Sequence, residues 1–278
     1  MPSPTSDPRA VESLLAFWAE AGVDLCFEDA PVDRLTAPPR PPPGKRTAAA
    51  AAPVMQPAPI APVGPMGASA APDISQAIAE ARELAAAAQD LDQLKAAIAA
   101  FDGCPLKREG ARQAVFARGA PDAPVMIIGE APGAEEDIQG APFVGRAGKL
   151  LDRMIAAAGL EGRVFITNTV YWRPPGNRTP TPQEQAICQP FLERAIALVK
   201  PHLLLLSGGA SAKSVLQRSE GILSLRGRWL DWRSSDGAQT LPAMPSLHPA
   251  FLLRQPAAKK KAWADLMMLT ERLDRPER

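Results

Sequence analysis

The sequence is poor in the residues that build disulfide frameworks, histidine metal sites and membrane spans. Its 278 residues include only 3 cysteines and 2 histidines. These numbers exclude a disulfide framework, a histidine-rich metal site and a metal cluster that needs four thiolates from this chain alone. No run of about 18 apolar residues is present, so we predict no membrane span. The first residues lack the basic region and the apolar stretch of a secretory signal, and we therefore expect a cytoplasmic protein.

Proline, in contrast, is abundant and unevenly distributed. Of the 31 prolines, 11 fall within residues 37–72. Because proline lacks an N–H group and fixes φ, we predict a semi-extended, disordered linker there. In the N-terminal segment 1–36, the apolar residues that follow Pro8 have helical spacing. This helix either docks on the rest of the chain or binds a protein partner. Residues 73–278 are expected to form the main domain.

Four short apolar runs in the main domain predict β-strands, at 125–130, 164–169, 202–208 and 241–248. Helical patterns occupy 148–158, 182–199, 210–216 and 257–273, and the alanine-rich stretch 74–101 predicts one or two further helices. Strands that alternate with helices form βαβ units. We therefore predict an α/β fold with three layers, α/β/α, around a central four-stranded, mainly parallel sheet.

The predicted strands end in polar or glycine-rich segments, which a parallel sheet would bring to one edge. Glu130 ends the first strand, Asn168 the second, the Ser207-Gly208-Gly209 turn the third, and His248 the fourth. The chain has no P-loop, no Gly-x-Gly-x-x-Gly fingerprint after a strand and no Gly-x-Ser-x-Gly elbow. A P-loop NTPase, a typical dinucleotide binder and a typical serine hydrolase are therefore disfavoured. An acid, an amide and an imidazole remain as candidate functional groups.

Three long motifs resemble the bacterial and archaeal type-4 uracil-DNA glycosylases, members of the uracil-DNA glycosylase superfamily. The motifs are GEAPGAEEDIQGAPFVGRAGKLLDRMI (129–155), ITNTVYWRPPGNRTPTPQE (166–184) and LHPAFLLRQP (247–256). They occur in the family's order, and the resemblance covers about residues 104–269. It implies a monofunctional enzyme that flips uracil out of DNA and hydrolyses its N-glycosidic bond, which initiates base excision repair. The N-terminal segment and linker resemble the longer alphaproteobacterial members.

The resemblance implies catalytic roles for three strand-end residues. His248 would donate a hydrogen bond to uracil O2 as negative charge develops on the leaving base; the alternative is a histidine that caps a strand end. The amide of Asn168 would read uracil O4 and N3–H together, unless it is a turn residue. Glu130 would position or polarise the attacking water. Other uracil glycosylase families place an aspartate one residue later, where this chain has Ala131.

The same motifs supply candidates for binding. Phe143 would stack on the uracil ring or serve as a core residue, and Gly129 and Ala131 would line the base pocket. Residues expected to contact DNA, as an apolar wedge or at phosphates, are Arg173, Arg178, Phe251, Leu252, Leu253 and Arg254. Each arginine is alternatively a solvated surface residue. The second histidine, His202, precedes an apolar strand and is expected to be structural.

The sequence departs from the family pattern at the residues that hold an iron–sulfur cluster. Type-4 enzymes typically carry a [4Fe-4S] cluster on four cysteines. Of the four matching positions, Cys104 and Cys188 are cysteines, whereas the other two are Phe101 and Trp172. Cys26 would raise the number of thiols only to three. Because a cluster normally needs four ligands, we predict no cofactor and expect the two aromatic rings to fill the cluster's volume.

The set of Glu130, Phe143, Asn168 and His248 favours an enzyme over a non-catalytic DNA- or uracil-binding module of the same fold. Charge is consistent with DNA binding, since residues 101–278 carry 24 basic and 18 acidic residues, whereas residues 1–100 carry 7 and 12. We therefore expect a monomer whose partner is uracil-containing DNA. No membrane partner is expected, and the N-terminal helix, where it does not dock on the rest of the chain, is the candidate site for a protein partner.

Overall fold

The computed structural model describes residues 74–275. The predicted N-terminal segment 1–36 and the predicted linker 37–72 lie outside the described residues. The helices and strands follow in the order α1 Ile74–Ala87, α2 Leu91–Ala100, β1 Ala117–Gly119, β2 Val125–Gly129, α3 Ala134–Gln139, α4 Arg146–Ala157, β3 Val164–Asn168, α5 Pro182–Val199, β4 Leu203–Ser207, α6 Gly209–Leu216, α7 Ile222–Leu225, β5 Leu230–Arg233, β6 Thr240–Ser246, α8 Pro249–Arg254 and α9 Lys259–Asp274. Short 3-10 turns cover Pro105–Lys107, Pro175–Asn177 and Pro256–Ala258.

A mixed sheet of six strands, in the order β1-β3-β2-β4-β6-β5, forms the centre of the fold. The four inner strands run parallel, and the edge strands β1 and β5 pair antiparallel with β3 and β6. The predicted α/β class is confirmed, and the inner strands are the four expected ones, but the sheet has six strands rather than four. The edge strands were missed because β1 has three residues and β5 reads Leu-Asp-Trp-Arg, so neither contains an apolar run.

The inner strands are apolar throughout because helices cover both faces of the sheet. In β2, Met126 and Ile128 belong to a hydrophobic cluster that includes residues of α1, α2 and α5. Val125 and Ile127 belong to a second cluster, with residues of α4 and α9. Successive side chains of a strand point to opposite faces, so the sheet lies between two helical layers. Every residue of β2, β3 and β4 is buried, which accounts for their unbroken apolar runs.

The carboxyl ends of the inner strands meet at one edge of the sheet. Gly129 of β2 pairs with Asn168 of β3, and Ser207 of β4 pairs with Ser246 of β6. His248 lies two residues after the end of β6 and is the N-cap of α8. The segments after β2, β3 and β6 therefore lie near one another, as the βαβ pattern predicts. Within residues 74–275, no helix combines the length and the apolar character needed to cross a membrane.

Candidate active site

A cavity of about 510 Å³ opens at this edge of the sheet. The loop after β2, the residues around Phe143, the 174–179 loop and the start of α8 form its walls. The predicted site residues that line it are Glu130, Ala131, Phe143, Arg178, His248, Phe251 and Arg254. Gly129 and Asn168 lie directly beside the ring of Phe143. Residues from three separate sequence motifs therefore meet at one place.

His248 is fixed by a hydrogen bond at the start of α8. Its Nδ1 accepts the backbone N–H of Ala250 at 3.1 Å. Because an accepting ring nitrogen carries no proton, the proton of the neutral imidazole lies on Nε2. Burial and, to a smaller extent, the positive charge of Arg254 lower the pKa of His248 to about 4, and Glu136 opposes this effect. At neutral pH the residue is therefore both a helix cap and an uncharged hydrogen-bond donor on the cavity wall.

Asn168, at the end of β3, is a buried amide without partners. Its Oδ1 and Nδ2 atoms form no hydrogen bond with any described residue, whereas proteins pair nearly all such buried groups. Gly129 on the neighbouring strand makes room for this amide, because a Cβ atom at that position would clash with Oδ1 of Asn168 and with the ring of Phe143. The arrangement leaves one donor and one acceptor available to a polar ligand.

Phe143 contributes a flat apolar surface next to both Asn168 and His248. Its ring centroid lies 5.5 Å from that of His248, with 31° between the ring planes. The side chain is buried. Its backbone has a φ of 55°, in the left-handed region that bulky residues rarely adopt. The ring is therefore held at the site by an unusual backbone conformation.

Glu130 is held beside Asn168 by contacts between the two strand ends. The hydroxyl of Thr169 donates to the backbone carbonyl of Glu130 at 2.7 Å, and the N–H of Thr169 donates to the carbonyl of Gly129 at 3.0 Å. The side chain of Glu130 lines the cavity. Within residues 74–275 its carboxylate takes part in no hydrogen bond or ion pair. The carboxylate is therefore available to a ligand or a water molecule.

The residues of α8 that were predicted to contact DNA differ in exposure. Leu253 is 38% exposed, and Phe251 and Arg254 line the cavity. Leu252, in contrast, is fully buried in the hydrophobic cluster beneath α8. It does not lie where a wedge into the base stack would have to be, because it points from the helix into the protein. Phe251 and Leu253 are the apolar residues of this helix that remain accessible.

The two arginines of the 173–178 loop make internal contacts. Arg178 donates to both carboxylate oxygens of Glu184, at 2.9 and 2.6 Å. Glu184 is buried in the first turn of α5, and the backbone N–H of Thr181 donates to it at 2.7 Å. Arg173 donates through Nε to Oδ1 of Asn177 at 2.7 Å. The guanidinium of Arg178 therefore anchors the loop to α5, although the residue also lines the cavity.

Glu136 is a cavity-lining residue to which the sequence analysis assigned no role. Its carboxylate accepts the backbone N–H groups of Gly133 at 3.1 Å, Val144 at 2.9 Å and Gly145 at 2.9 Å. Its position, third in α3 after a glycine N-cap, is that of the acidic member of a capping box and could have drawn attention to it. The contacts with Val144 and Gly145 depend on the tertiary fold and have no local signal.

The four positions that match cluster ligands lie together in the core between the sheet and α5. The Sγ atoms of Cys104 and Cys188 are 4.0 Å apart. The ring of Phe101 lies 6.4 Å from that of Trp172 and 5.3 Å from that of Phe191, centroid to centroid. Burial raises the pKa of the Cys188 thiol well above its usual value. Two buried thiols among packed aromatic rings do not fit a four-thiolate cluster. In the described part of the chain, no group of three or more His, Cys, Asp or Glu side chains is arranged to hold a metal ion.

Comparison with known proteins places these motifs in one family. A family model described as "Uracil DNA glycosylase superfamily" matches residues 116–267. The chain is 40% identical over 184 residues to the "Type-4 uracil-DNA glycosylase" of Pyrobaculum aerophilum, an alignment that covers 64% of this chain and 92% of the relative. It is also 40% identical over 168 residues to the protein of that name from Saccharolobus solfataricus, covering 58% and 77% of the two chains. With its Thermotoga maritima counterpart it shares 37% identity over 153 residues, covering 54% and 77%.

Proposed function

The chain belongs to the uracil-DNA glycosylase superfamily, among its type-4 members, and we propose that it hydrolyses the N-glycosidic bond of deoxyuridine in DNA. The observation that carries this function is the unpaired amide of Asn168, buried beside the Phe143 ring and the neutral His248 imidazole. A base in a duplex cannot reach such a site, so the uracil must rotate out of the helix into the cavity.

Asn168 recognises the base through its amide. The side-chain N–H donates to uracil O4, and the side-chain oxygen accepts N3–H. Cytosine presents an amino donor and a ring acceptor at these positions. Its amino group would therefore face the side-chain N–H of Asn168, and its ring nitrogen would face the side-chain oxygen. Because the amide is buried and has no competing partner, this mismatch would leave polar groups unpaired in the complex. The site therefore selects uracil over cytosine.

His248 stabilises the leaving group. As the glycosidic bond breaks, the sugar acquires oxocarbenium character and the base acquires negative charge. The Nε2–H of His248 donates to uracil O2, where this charge accumulates. The hydrogen bond from Ala250 N–H to Nδ1 fixes the tautomer and the orientation that this donation requires. Since the pKa of His248 is about 4, the donor is the neutral imidazole at physiological pH.

Phe143 and Glu130 complete the reaction site. Phe143 stacks on the uracil ring, a contact typically worth about 1–3 kcal/mol per base. The unpaired carboxylate of Glu130 positions or polarises the water that attacks the sugar. Its place on the wall of the cavity, joined through Thr169 to the strand of Asn168, supports this role. Ala131 forms part of the wall that the base approaches, and Gly129 leaves room for the Asn168 amide and the Phe143 ring.

DNA is held around the mouth of the cavity. Arg254 contacts a phosphate, and the accessible Phe251 and Leu253 of α8 occupy the space left by the flipped nucleotide. Arg173 supplies a second phosphate contact. Arg178 acts indirectly, because its guanidinium is occupied by Glu184. We assign the excess of basic residues in 101–278 to the same interaction with the DNA backbone.

The chain performs this chemistry without an iron–sulfur cluster. Phe101 and Trp172 stand at two of the four ligand positions, and Cys104 and Cys188 remain as buried thiols. The aromatic rings supply the packing that links the segment after α2 to α5, and no step of the reaction passes through this region. Iron analysis and an absorption spectrum of the purified protein test the assignment. Stoichiometric iron with charge-transfer absorption would overturn it.

Domain organisation and cellular context complete the proposal. Residues 73–278 form the catalytic domain, residues 37–72 act as a linker, and residues 1–36 recruit a protein partner. The enzyme acts as a monomer in the cytoplasm. Light scattering of the full chain, alone and on uracil-containing DNA, tests the monomeric state.

An excision assay decides between the enzyme and a non-catalytic binding module. A labelled oligonucleotide with one uracil is incubated with the protein, and alkali then cleaves the abasic site. The wild type is expected to produce cleavage, and His248→Ala is expected to bind the DNA with unchanged affinity but to lose most excision. Binding without excision by the wild type would support the non-catalytic module instead.

A further inference from the structure

The Glu136 carboxylate joins two segments of the site through backbone contacts alone. Oε2 accepts the N–H of Gly133, three residues after Glu130, and Oε1 accepts the N–H groups of Val144 and Gly145, directly after Phe143. Glycine at position 133 makes room for this carboxylate, since a Cβ atom there would lie 2.7 Å from Oε2 of Glu136. Charge-assisted hydrogen bonds of this kind are among the stronger ones in proteins.

The segment that Glu136 holds has a backbone conformation that needs support. Phe143 has a φ of 55°, which is unfavourable for a bulky residue and persists only when its surroundings impose it. Arg118 supports the preceding side, donating to the carbonyl of Pro142 at 2.8 Å and to that of Phe143 at 3.1 Å. Glu136 accepts the N–H groups of Val144 and Gly145, which follow Phe143. The Phe143 backbone is thus clamped between a guanidinium and a carboxylate.

We propose that Glu136 is a positioning residue that acts through Phe143, holding the ring where a flipped uracil stacks on it. The proposal rests on the function assigned above. Glu136 needs no contact with the substrate for this role, because its two oxygens are directed at backbone amides. Its removal leaves the Asn168 amide and the His248 imidazole in the site but releases the ring that lies next to both.

Two variants of Glu136 test the proposal, and a variant of the adjacent carboxylate, Glu135, provides the control. Glu136→Gln retains one oxygen but turns an amino group towards the N–H of Gly133. Glu136→Ala removes all three hydrogen bonds. We expect single-turnover excision at saturating enzyme to fall about tenfold and about 100-fold respectively. Affinity for undamaged DNA should not change. Glu135→Gln, which alters an exposed side chain in the same helical turn, should excise uracil at the wild-type rate.

A double-mutant cycle separates positioning from general destabilisation. If Glu136 acts through Phe143, then Glu136→Gln should have little further effect in a Phe143→Ala background. Additive losses would overturn the proposal, as would a wild-type rate for Glu136→Gln. Excision by the wild type shows whether the proposed function holds, independently of how the variants compare.

A crystal structure of Glu136→Gln gives a readout that does not depend on activity. We expect residue 143 to leave the left-handed region and its ring to move away from His248. An unchanged φ at residue 143 would overturn the proposal even if no excision were measurable in any variant. The thermal melting temperature, measured alongside, identifies a loss of rate that arises from unfolding.

Discussion

Acidification tests whether the His248 imidazole is as enclosed as its surroundings indicate. The interval between its pKa of about 4 and the ordinary value of 6.5 corresponds to about 3 kcal/mol of unfolding free energy. In this interval the unfolded chain binds a proton that the folded chain does not. The free energy of unfolding should therefore decrease by about this amount as the pH falls from about 6.5 to about 4, with no contribution from His248 at higher pH.

Urea denaturation of the wild type and of His248→Asn over this pH interval measures the effect. Asparagine is a good helix N-cap, so the variant keeps an acceptor for the start of α8. The wild type should lose about 3 kcal/mol more than the variant between pH 7 and pH 4. His202→Asn, at the exposed second histidine, provides the control and should behave like the wild type. Parallel curves for the wild type and His248→Asn would refute the enclosed, neutral imidazole.

The excision rate provides a second measurement of the same group. Because the proposed donor is the neutral form of His248, single-turnover excision should not respond to His248 titration between pH 8 and about pH 5. Arg254→Gln removes a positive charge that lowers the pKa of His248, so the loss of unfolding free energy below pH 6.5 should be smaller and should end at a higher pH in that variant. A rate that titrates with an apparent pKa near 6.5 would contradict a buried His248 as the donor.

Two further predictions concern pairs of similar residues, one pair on α8 and one in the 173–178 loop, whose members have different contacts in the structure. Leu252→Ala should lower the unfolding free energy, measured by denaturation, by about 2–5 kcal/mol because it opens a cavity. Leu253→Ala should leave the unfolding free energy nearly unchanged. It should reduce excision of uracil from duplex DNA more than from single-stranded DNA. Arg178→Gln should lower the unfolding free energy because it removes the two guanidinium hydrogen bonds of the buried Glu184 carboxylate and leaves it with the N–H of Thr181. Arg173→Gln should leave stability unchanged and weaken DNA binding, with a smaller salt dependence. Equal stability losses in either pair would contradict the contacts described above.

The inner part of the fold could be predicted from sequence because burial on both faces leaves a local signal. The four inner strands and the helices predicted after residue 145 begin and end within two residues of the predicted positions. Once the order of strands and helices implies a parallel sheet, the residues that follow the strands must share one edge. This reasoning brought Glu130, Asn168 and His248 together without knowledge of any contact.

Contacts between distant segments could not be predicted in this way. Leu252 and Leu253 are adjacent in sequence, and only the packing of α8 decides which one is buried. From the sequence, Arg178 is expected to be a surface cation. Only the tertiary fold shows that its guanidinium donates to Glu184. The role of Glu136 depends on the loop after Phe143 returning to the start of α3. In each case the deciding partner is specified by the tertiary fold and not by spacing along the chain.

The Asn168 amide accounts for base selectivity in the proposed reaction. A buried, unpaired amide typically costs the free protein about 1–3 kcal/mol, and two such atoms lie beside the cavity here. In the proposed complex, uracil relieves this cost by supplying a partner to each atom, so part of the recognition energy is stored in the free protein. Cytosine would relieve none of it, because its donor and acceptor are exchanged. In this proposal, discrimination arises from the penalty for the wrong base.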